Sequence, residues 1–374
     1  MDAVADSVSS LLDDPVVPLR RSPPAQVSGS SADEAAGSLC GASRPRAVFL
    51  LSEGVFDRVY GSASREQIGS LAEVAAHVLT PATWRQHPEI TQEAEWIFSS
   101  WTMPVVNQDF LAAFPKLRVI FYAAGTIKEF ATDALWERGI VVTSAFAANA
   151  IPVAEFTVAQ IVLSLKSVWR VALQIKHEKT VASRNIPTQG VYNATVGLIS
   201  LGMIGRLVAE QLRHFQVRVM AFDPYLSGKD AGDLGVELCS LDEIFSQSDV
   251  VSCHTPLLKE TEGLLGKSHF ARMKPYATFL NTARGAVVDE AGLIEVLRER
   301  PDLFALLDVT WPEPPVAGSP LYELPNVILT PHIAGSKNNE CWRMAQYMAE
   351  EAARLVAGKP LRYAVTASQL ERMA

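Results

Sequence analysis

Residues 195–223 read TVGLISLGMIGRLVAEQLRHFQVRVMAFD, and this stretch decides the fold. A short apolar strand at 195–199 runs into a glycine-containing turn, and the turn opens a helix at 206–215. A second strand at 217–222 follows and ends at Asp223. Strand, glycine turn, helix, strand and terminal acid form the pattern of a dinucleotide-binding βαβ unit. The alternative is a tight turn in an α/β protein that binds no nucleotide.

The residues of this unit suit a dinucleotide. Gly202 would let the backbone approach a pyrophosphate, which the free N–H groups at the helix start would bind, and Gly205 would allow close helix–strand packing. Asp223 would accept hydrogen bonds from an adenosine ribose and repel a 2′-phosphate, so the sequence favours NAD over NADP. Ser200 replaces the first glycine of the pattern. If its φ is positive, the strain costs about 1–2 kcal/mol.

Strands alternate with helices on both sides of this unit, which predicts an α/β protein built from doubly wound parallel sheets. A helix beginning at Pro152 and running to about residue 182 should join the two halves of the chain. The other predicted strands are 47–51, 96–98, 117–122, 140–143, 250–254, 278–281, 303–309 and 327–330, and the other predicted helices are 66–78, 107–114, 132–138, 241–247, 267–273, 291–299 and 342–357.

Composition limits the classes of function. The chain has 374 residues, 48% of them hydrophobic and 20% charged, which is ordinary for a globular protein with two domains. A net charge of −8 argues against nucleic acid as a partner. No uninterrupted apolar run reaches the length of a transmembrane helix, so no membrane partner is expected. Four dispersed cysteines predict reduced thiols and a cytoplasmic protein, with neither a disulfide frame nor a metal site.

Residues 1–45 differ from the rest of the chain. They are rich in Ser, Ala, Asp and Pro and lack sustained periodicity, which predicts a disordered tail. A targeting peptide is the alternative, but Asp2, Asp6, Asp13 and Asp14 do not suit a basic transit sequence.

Three polar residues in the stretch 281–335 suggest a catalytic set. Arg284 follows one predicted strand, Glu313 lies in a proline-rich loop, and His332 follows another strand. Loops after strands gather ligand groups in open α/β sheets. A cation, a carboxylate and a histidine could bind an acidic substrate and transfer one proton. The alternative is a surface salt bridge with an unrelated loop histidine.

With these motifs in order, the chain resembles the D-isomer-specific 2-hydroxyacid dehydrogenase family over residues 47–365. The matching segments are VGLISLGMIGR (196–206), DVVSCHTPL (249–257), FLNTARG (279–285), LDV…PEP (307–314) and LTPHIAG (329–335). The resemblance implies two Rossmann-like domains, with the coenzyme domain (148–337) inserted in a split substrate domain (46–147 plus 338–374). It also implies a homodimer built largely on the coenzyme domains.

The resemblance also assigns roles to residues. Arg284 would hold the carboxylate and carbonyl of a 2-oxo acid, and His332 would act as the acid and base. Glu313 would bond the other ring nitrogen of His332, fixing its tautomer. The remaining substrate-binding residues would be Ala124 and Gly125, through their N–H groups, and Asn149. The coenzyme-binding residues would be Arg284 and His332 themselves together with Gly202, Met203, Ile204, Gly205, Asp223, His254, Thr255, Pro256, Thr261, Thr282, Ala283, Asp308, Ala334 and Gly335, with Asp308 accepting from the nicotinamide carboxamide.

Departures from related enzymes narrow the substrate. Formate dehydrogenases carry glutamine where Glu313 stands, and phosphite dehydrogenases carry lysine where Ala124 stands, so neither chemistry is expected. Ile127 replaces the family's common aspartate, which puts the geometry of that loop in question. The sequence therefore predicts an NAD(H)-dependent oxidoreductase interconverting a 2-oxo acid and a D-2-hydroxy acid. The alternative is an NADH-sensing, corepressor-like interaction protein on the same fold, and the identity of the acid is left open.

Overall fold

The protein folds around two twisted parallel sheets. The structure, a computed structural model, describes residues 44–181, 187–370 and 373. The predicted disordered tail at 1–45 lies outside the described residues, except for Arg44 and Pro45. The strands are β1 (Arg46–Phe49), β2 (Glu73–Val74), β3 (Trp96–Ser99), β4 (Val119–Tyr122), β5 (Val141–Ser144), β6 (Thr195–Ile199), β7 (Arg218–Phe222), β8 (Glu237–Leu238), β9 (Val250–Cys253), β10 (Thr278–Asn281), β11 (Phe304–Leu307), β12 (Val327–Leu329) and β13 (Ala364–Val365).

Helices cover both faces of each sheet, and short 3₁₀ turns lie at Trp84–Gln86, Gly285–Val287 and Pro320–Tyr322. The helices are α1 (Glu53–Val59), α2 (Ser62–Leu71), α3 (Pro88–Thr91), α4 (Gln108–Ala113), α5 (Asp133–Glu137), α6 (Phe146–Leu165), α7 (Val168–Glu178), α8 (Met203–Leu212), α9 (Gly228–Leu234), α10 (Leu241–Gln247), α11 (Lys267–Ala271), α12 (Glu290–Glu299), α13 (Asn339–Val356) and α14 (Ala367–Leu370).

The first sheet has the strand order β13-β5-β4-β3-β1-β2. All pairs are parallel except β13 with β5, which is antiparallel. Strands β3 and β4 are buried along their whole length because helices cover both faces, as expected for a parallel sheet. The C-terminal helix α13 packs one face against α1 and α2. Both ends of the chain therefore build this unit.

The second sheet has the order β12-β11-β10-β9-β6-β7-β8, and every pair is parallel. The order of the strands reverses between β6 and β9, which is the usual place for a ligand in an open α/β sheet. Local sequence signals start its helices. Ser240 and Glu243 form a reciprocal cap on α10, and Asp289 caps α12 through the N–H of Gly292. The predicted α/β class with two Rossmann-like sheets is confirmed.

Helix α6 joins the two halves, but its bounds were predicted wrongly. It begins at Phe146 and ends at Leu165, so that Pro152 lies inside the helix instead of at its first turn. The alanine-rich segment before the proline has high helix propensity, and burial of the helix offsets the cost of an interior proline. Ser167 then adopts a left-handed conformation (φ 53°) and separates α6 from α7, so the predicted helix to residue 182 is two helices.

By length and composition alone, α6 could also cross a membrane. The apolar run is not continuous, because polar residues such as Asn149 and Glu155 interrupt it. In this fold half of the apolar window is buried, and the helix packs against α8 and α13. This packing is typical of a core helix.

The predicted helix at 66–78 was also partly wrong. Helix α2 ends at Leu71, and Glu73 and Val74 form the edge strand β2 beside β1. The N–H groups of Glu73 and Ala75 donate to the carbonyls of Pro45 and Ala47. Pairing with a strand distant in sequence therefore overrides the local helical pattern.

Candidate active site

The predicted site residues lie at the carboxyl ends of strands in both sheets. Ser200, His254 and Asn281 end or follow the adjacent strands β6, β9 and β10. Arg284, Asp308 and His332 follow β10, β11 and β12, which are also neighbours. Because parallel strands end at one edge of the sheet, this order brings the predicted coenzyme and catalytic residues together at that edge.

The glycine turn after β6 leaves space for a ligand to approach the backbone. Gly202 precedes α8, and a Cβ added there would meet no protein atom within 4 Å. At Gly205 a Cβ would lie 2.3 Å from the carbonyl oxygen of Ser200, so only glycine allows the helix to start this close to the strand. No side chain caps the first turn of α8, which leaves the N–H groups of Met203 and Ile204 facing outward. An anion such as a pyrophosphate fits this position.

Two side chains stabilise the turn. Ser200 has a φ of 72°, the left-handed conformation that the missing glycine would favour, and its hydroxyl lies 3.0 Å from that of Thr255. Asp223 accepts from the N–H of Leu201 at 2.7 Å and from the N–H of Tyr225 at 2.8 Å. Each carboxylate oxygen keeps a further lone pair, so ribose binding and support of the turn are compatible.

His254 supplies a buried polar atom on the coenzyme side. Its Nε2 lies 3.0 Å from the hydroxyl of Ser252, while Nδ1 is buried and has no hydrogen-bond partner among the described residues. Desolvation lowers the pKa of His254 to about 4, so the ring is neutral at physiological pH. An unpaired buried nitrogen beside an uncapped helix start fits a polar coenzyme.

Two predicted coenzyme residues also have structural partners. Thr261 donates to the carbonyl of Pro256 at 2.6 Å and accepts from the N–H of Leu258, which folds the loop after β9. The hydroxyl of Thr282 lies 3.2 Å from that of Thr157 on α6. Their side chains therefore shape the groove, whereas Ala283 can contribute only backbone and a methyl group.

Arg284 is held at the end of β10 by its neighbours. Asn281 donates to the carbonyl of Arg284 and accepts from the N–H of Ala283, while the Nη1 of Arg284 donates to the carbonyl of Ala283 at 2.8 Å. A Cβ at Gly285 would lie 2.0 Å from the backbone of Thr310, so glycine is required for this approach. Burial lowers the pKa of Arg284, an effect opposed by Glu313 and Glu129, and the guanidinium stays charged.

His332 and Glu313 form a pair. The Nδ1 of His332 lies 2.8 Å from Oε1 of Glu313. An ionised carboxylate only accepts, so Nδ1 carries the proton. The Nε2 atom has no partner among the described residues, and the side chain is 46% exposed. One ring nitrogen is thus fixed by the carboxylate, and the other is open to a ligand.

Asp308 also has hydrogen-bond partners within the protein, which the sequence did not indicate. Its carboxylate, 2% exposed, accepts from the hydroxyl of Thr330 and from the N–H groups of Ile333 and Ala334. Its carbonyl accepts from the N–H of His332, whose φ is 52°. Asp308 therefore holds the turn that carries His332, in addition to the carboxamide contact predicted for it.

The predicted carboxylate site lies in the other half of the molecule, and one of its donors is already used. The N–H of Ala124 donates to the carbonyl of Tyr122 at 2.9 Å. The N–H of Gly125 has no hydrogen-bond partner among the described residues. The hydroxyl of Ser144 donates to the carbonyls of Ala124 and Gly125, which turns their peptide planes.

Asn149 links this loop to the second sheet. Its Oδ1 accepts from the N–H of Ser336 at 2.9 Å, and a Cβ at Gly335 would lie 3.2 Å from the same oxygen. Its Nδ2 is on the side of Gly125, 3.7 Å from where a Cβ of that glycine would lie. The amide group therefore has a donor free for a carboxylate beside Gly125.

Sequence reasoning missed the supporting residues Ser144, Thr157, Asn281 and Ser336. Asn281 had a usable signal, because it ends a strand directly before a turn with Arg284, where an Asn side chain often bonds its own backbone. The others act on residues far away in sequence, and no local pattern marks them.

Known proteins resemble this chain in both sequence and fold. The NAD-binding domain of D-isomer-specific 2-hydroxyacid dehydrogenases matches residues 158–334. The D-3-phosphoglycerate dehydrogenase of Archaeoglobus fulgidus is 33% identical over 266 residues, which cover 71% of this chain and 50% of that protein. The chain belongs to the D-isomer-specific 2-hydroxyacid dehydrogenase family. The predicted NAD cofactor is confirmed at the level of this domain.

Solved structures share the fold of this 2-hydroxyacid dehydrogenase family member. The TT0316 protein from Thermus thermophilus is 28% identical with a TM-score of 0.69, covering 86% of this chain and 100% of that chain. The D-lactate dehydrogenase with NAD⁺ from Lactobacillus jensenii is 24% identical with a TM-score of 0.70, covering 86% and 99%. The chain spans about half the length of the curated relatives that it matches.

Proposed function

We propose that this family member is an NAD(H)-dependent D-2-hydroxyacid dehydrogenase that works mainly as a 2-oxoacid reductase when NADH is supplied. The observation that carries this proposal is the 2.8 Å pair of Glu313 and His332, which leaves the outer ring nitrogen open. Arg284 follows β10, which lies two strands away from β12, the strand that precedes His332 in the same sheet. A fixed cation beside a histidine with one free nitrogen suits an acid substrate that gains one proton.

The substrate would be held from both halves of the molecule. Arg284 would bind the carboxylate and the carbonyl through two donors, which a guanidinium provides in one plane. The N–H of Gly125 and the Nδ2 of Asn149 would complete the carboxylate site. Both groups are donors without partners in the described residues, which supports this assignment.

His332 would transfer the proton. In reduction its Nε2 would donate to the carbonyl oxygen, and in oxidation it would accept the hydroxyl proton. Glu313 would stabilise the charged ring, and Asp308 would keep the His332 turn in place. Bound NADH supplies the hydride, and the groove from Gly202 to Asp223 positions it.

Catalysis would require closure of the two units. The substrate unit would comprise residues 46–147 plus 338–374, and the coenzyme unit residues 148–337. The strands of each sheet fall within these ranges, which supports the division. Gly125 belongs to the first unit and Arg284 to the second. A substrate that contacts both would draw them together and exclude water from the site.

The remaining expectations concern assembly and compartment. We propose a homodimer, supported by exposed apolar residues such as Val168 and Leu173 on α7, a helix without any buried residue. We propose a cytoplasmic location with no membrane or nucleic-acid partner, supported by the unpaired cysteines of the described residues and by the net charge of −8. Light scattering during size-exclusion chromatography would test the dimer.

Substitution of the two central residues tests the proposal. Arg284→Ala should abolish turnover of 2-oxo acids because it removes the carboxylate ligand, and His332→Ala should reduce turnover by about 10²–10⁴-fold because it removes the acid. Binding of NADH, followed by its fluorescence, should survive in both variants. Near-wild-type turnover of His332→Ala across the pH range would contradict the assignment of the proton donor.

The alternative, an NADH-sensing interaction protein, predicts a different outcome. It requires no turnover of any 2-oxo acid by the wild type together with NADH-dependent oligomerisation. Measuring the oligomeric state with and without NADH, beside the turnover assay, separates the two.

A further inference from the structure

One lysine side chain bridges the two units next to the site. Lys128 lies three residues after Gly125, and its Nζ donates to the carbonyl of Leu257 at 3.2 Å. Leu257 directly follows Thr255 and Pro256, which the proposed function places against the coenzyme. The bond therefore links the loop of the acid site with the loop of the coenzyme site.

Open space separates these loops beside the bond. A cavity of about 470 Å³ lies here, and its lining includes the charged residues Lys128, Lys259, Glu260 and Glu262 as well as Leu257 and Trp311. Because the loops do not pack closely here, the lysine side chain provides the link between them.

The segment that connects Gly125 with Lys128 is short and anchored in the core. Ile127, which replaces the family's common aspartate, is 1% exposed and anchors the loop in the core of the first unit. Its carbonyl accepts from the N–H groups of Phe130 and Ala131. Because this segment is short and internally hydrogen-bonded, a displacement of Lys128 also displaces Gly125.

Lys128 forms no ion pair with a carboxylate of the described residues, although Glu260 lines the same cavity. Among the described residues, no carboxylate lies within 4 Å of its Nζ, so the carbonyl of Leu257 is its hydrogen-bond acceptor. Desolvation lowers the pKa of Lys128, and the nearby charge of Arg284 lowers it further, while Glu260 opposes both. Arg284 therefore acts electrostatically on the ammonium group of Lys128.

We propose that Lys128 is a positioning residue that couples coenzyme binding to acid binding. Coenzyme that orders the loop around Thr255 also fixes Leu257, and Lys128 then holds Gly125 at its working distance from Arg284. The inference rests on the proposed function, since it needs both sites. Coupling of this kind is reciprocal, so each ligand strengthens the binding of the other.

Calorimetry with oxamate, an unreactive analogue of a 2-oxo acid, tests the coupling. The dissociation constant of oxamate is measured with and without saturating NADH for the wild type, Lys128→Met, Lys128→Arg and Lys259→Met. In the wild type NADH should tighten oxamate binding. Lys128→Met should reduce that gain by about fivefold, the size expected for one exposed hydrogen bond, without weakening NADH binding alone. Lys128→Arg, which can still donate to the carbonyl, should retain most of it.

Lys259→Met is the matched control. It removes the same charge from the same cavity, but Lys259 makes no hydrogen bond to the first unit among the residues that the structure describes. It should keep the wild-type coupling. Equal losses in Lys259→Met and Lys128→Met, or an unchanged coupling in Lys128→Met, would overturn the inference. Failure of the wild type to bind oxamate with NADH present would instead contradict the proposed function, and the inference with it.

Discussion

At the scale of single residues, the site relies on backbone conformations that most side chains avoid. Ser200 and His332 both have positive φ, at 72° and 52°. Each is held by partners outside its own turn: Thr255 bonds the hydroxyl of Ser200, and Asp308 bonds the turn around His332. Local strain of this kind persists when the surroundings fix it, and it concentrates at functional sites.

Substitutions at Ser200 should separate strain from hydrogen bonding. Ser200→Gly relieves about 1–2 kcal/mol of backbone strain. It also removes the hydrogen bond to Thr255 and increases the conformational entropy of the unfolded chain. Because these effects oppose one another, the free energy of unfolding should change by less than about 1 kcal/mol. Ser200→Ala keeps the strain and loses the bond, so it should be less stable by about 0.5–1.5 kcal/mol. Urea denaturation measures both. A fully stable Ser200→Ala variant would show that the bond to Thr255 contributes nothing.

At the scale of elements, α13 closes the first sheet by holding the last strand. Glu351 on α13 is 0% exposed, and its Oε2 accepts from the N–H groups of Arg362 and Tyr363 just before β13. Its Oε1 has no hydrogen bond, although Arg354 lies 3.7 Å away. Desolvation raises the pKa of Glu351 above its ordinary value of 4.5, against the opposing effect of these neighbours.

This shift predicts a pH-dependent stability. The folded state holds the Glu351 proton more tightly than the unfolded state, so this residue costs stability as the pH rises above 4.5. Glu351→Gln stays neutral and can still accept both N–H bonds. Its free energy of unfolding relative to wild type should therefore increase as the pH rises from about 4 to 7.

Denaturation at several pH values measures this difference. Glu350→Gln is the control, because it removes a carboxylate from the adjacent, less buried position on the same helix. If the difference in free energy of unfolding between Glu351→Gln and wild type did not vary with pH, the account would be contradicted.

At the scale of the whole molecule, the sequence predicted what is local and missed what joins distant segments. The unit 195–223 was predictable because an apolar strand, a glycine turn and a terminal acid are continuous in the chain. Pro152 misled the prediction of α6, since tertiary burial outweighed a local preference. The contact of Asn149 with Ser336 spans 187 residues and that of Lys128 with Leu257 spans 129, and no local pattern marks either pair.

The site is likewise assembled from both halves. Arg284, Glu313 and His332 could be selected from the sequence as a set, but the use of the Ala124 N–H by Tyr122 and the support of the His332 turn by Asp308 depend on folded geometry. Neither unit alone presents both the Gly125 donor and Arg284, so activity should belong to the whole chain.

The most direct test of the central claim is to supply the full chain with NADH and a panel of 2-oxo acids, including glyoxylate, hydroxypyruvate, aryl-pyruvates and phosphonate analogues. NADH oxidation is followed, and the chirality of each chiral product is determined. The account predicts turnover of at least one acid, a D-2-hydroxy acid as product, and weaker use of NADPH because of Asp223. No turnover of any acid, or an L-hydroxy acid as product, would contradict it.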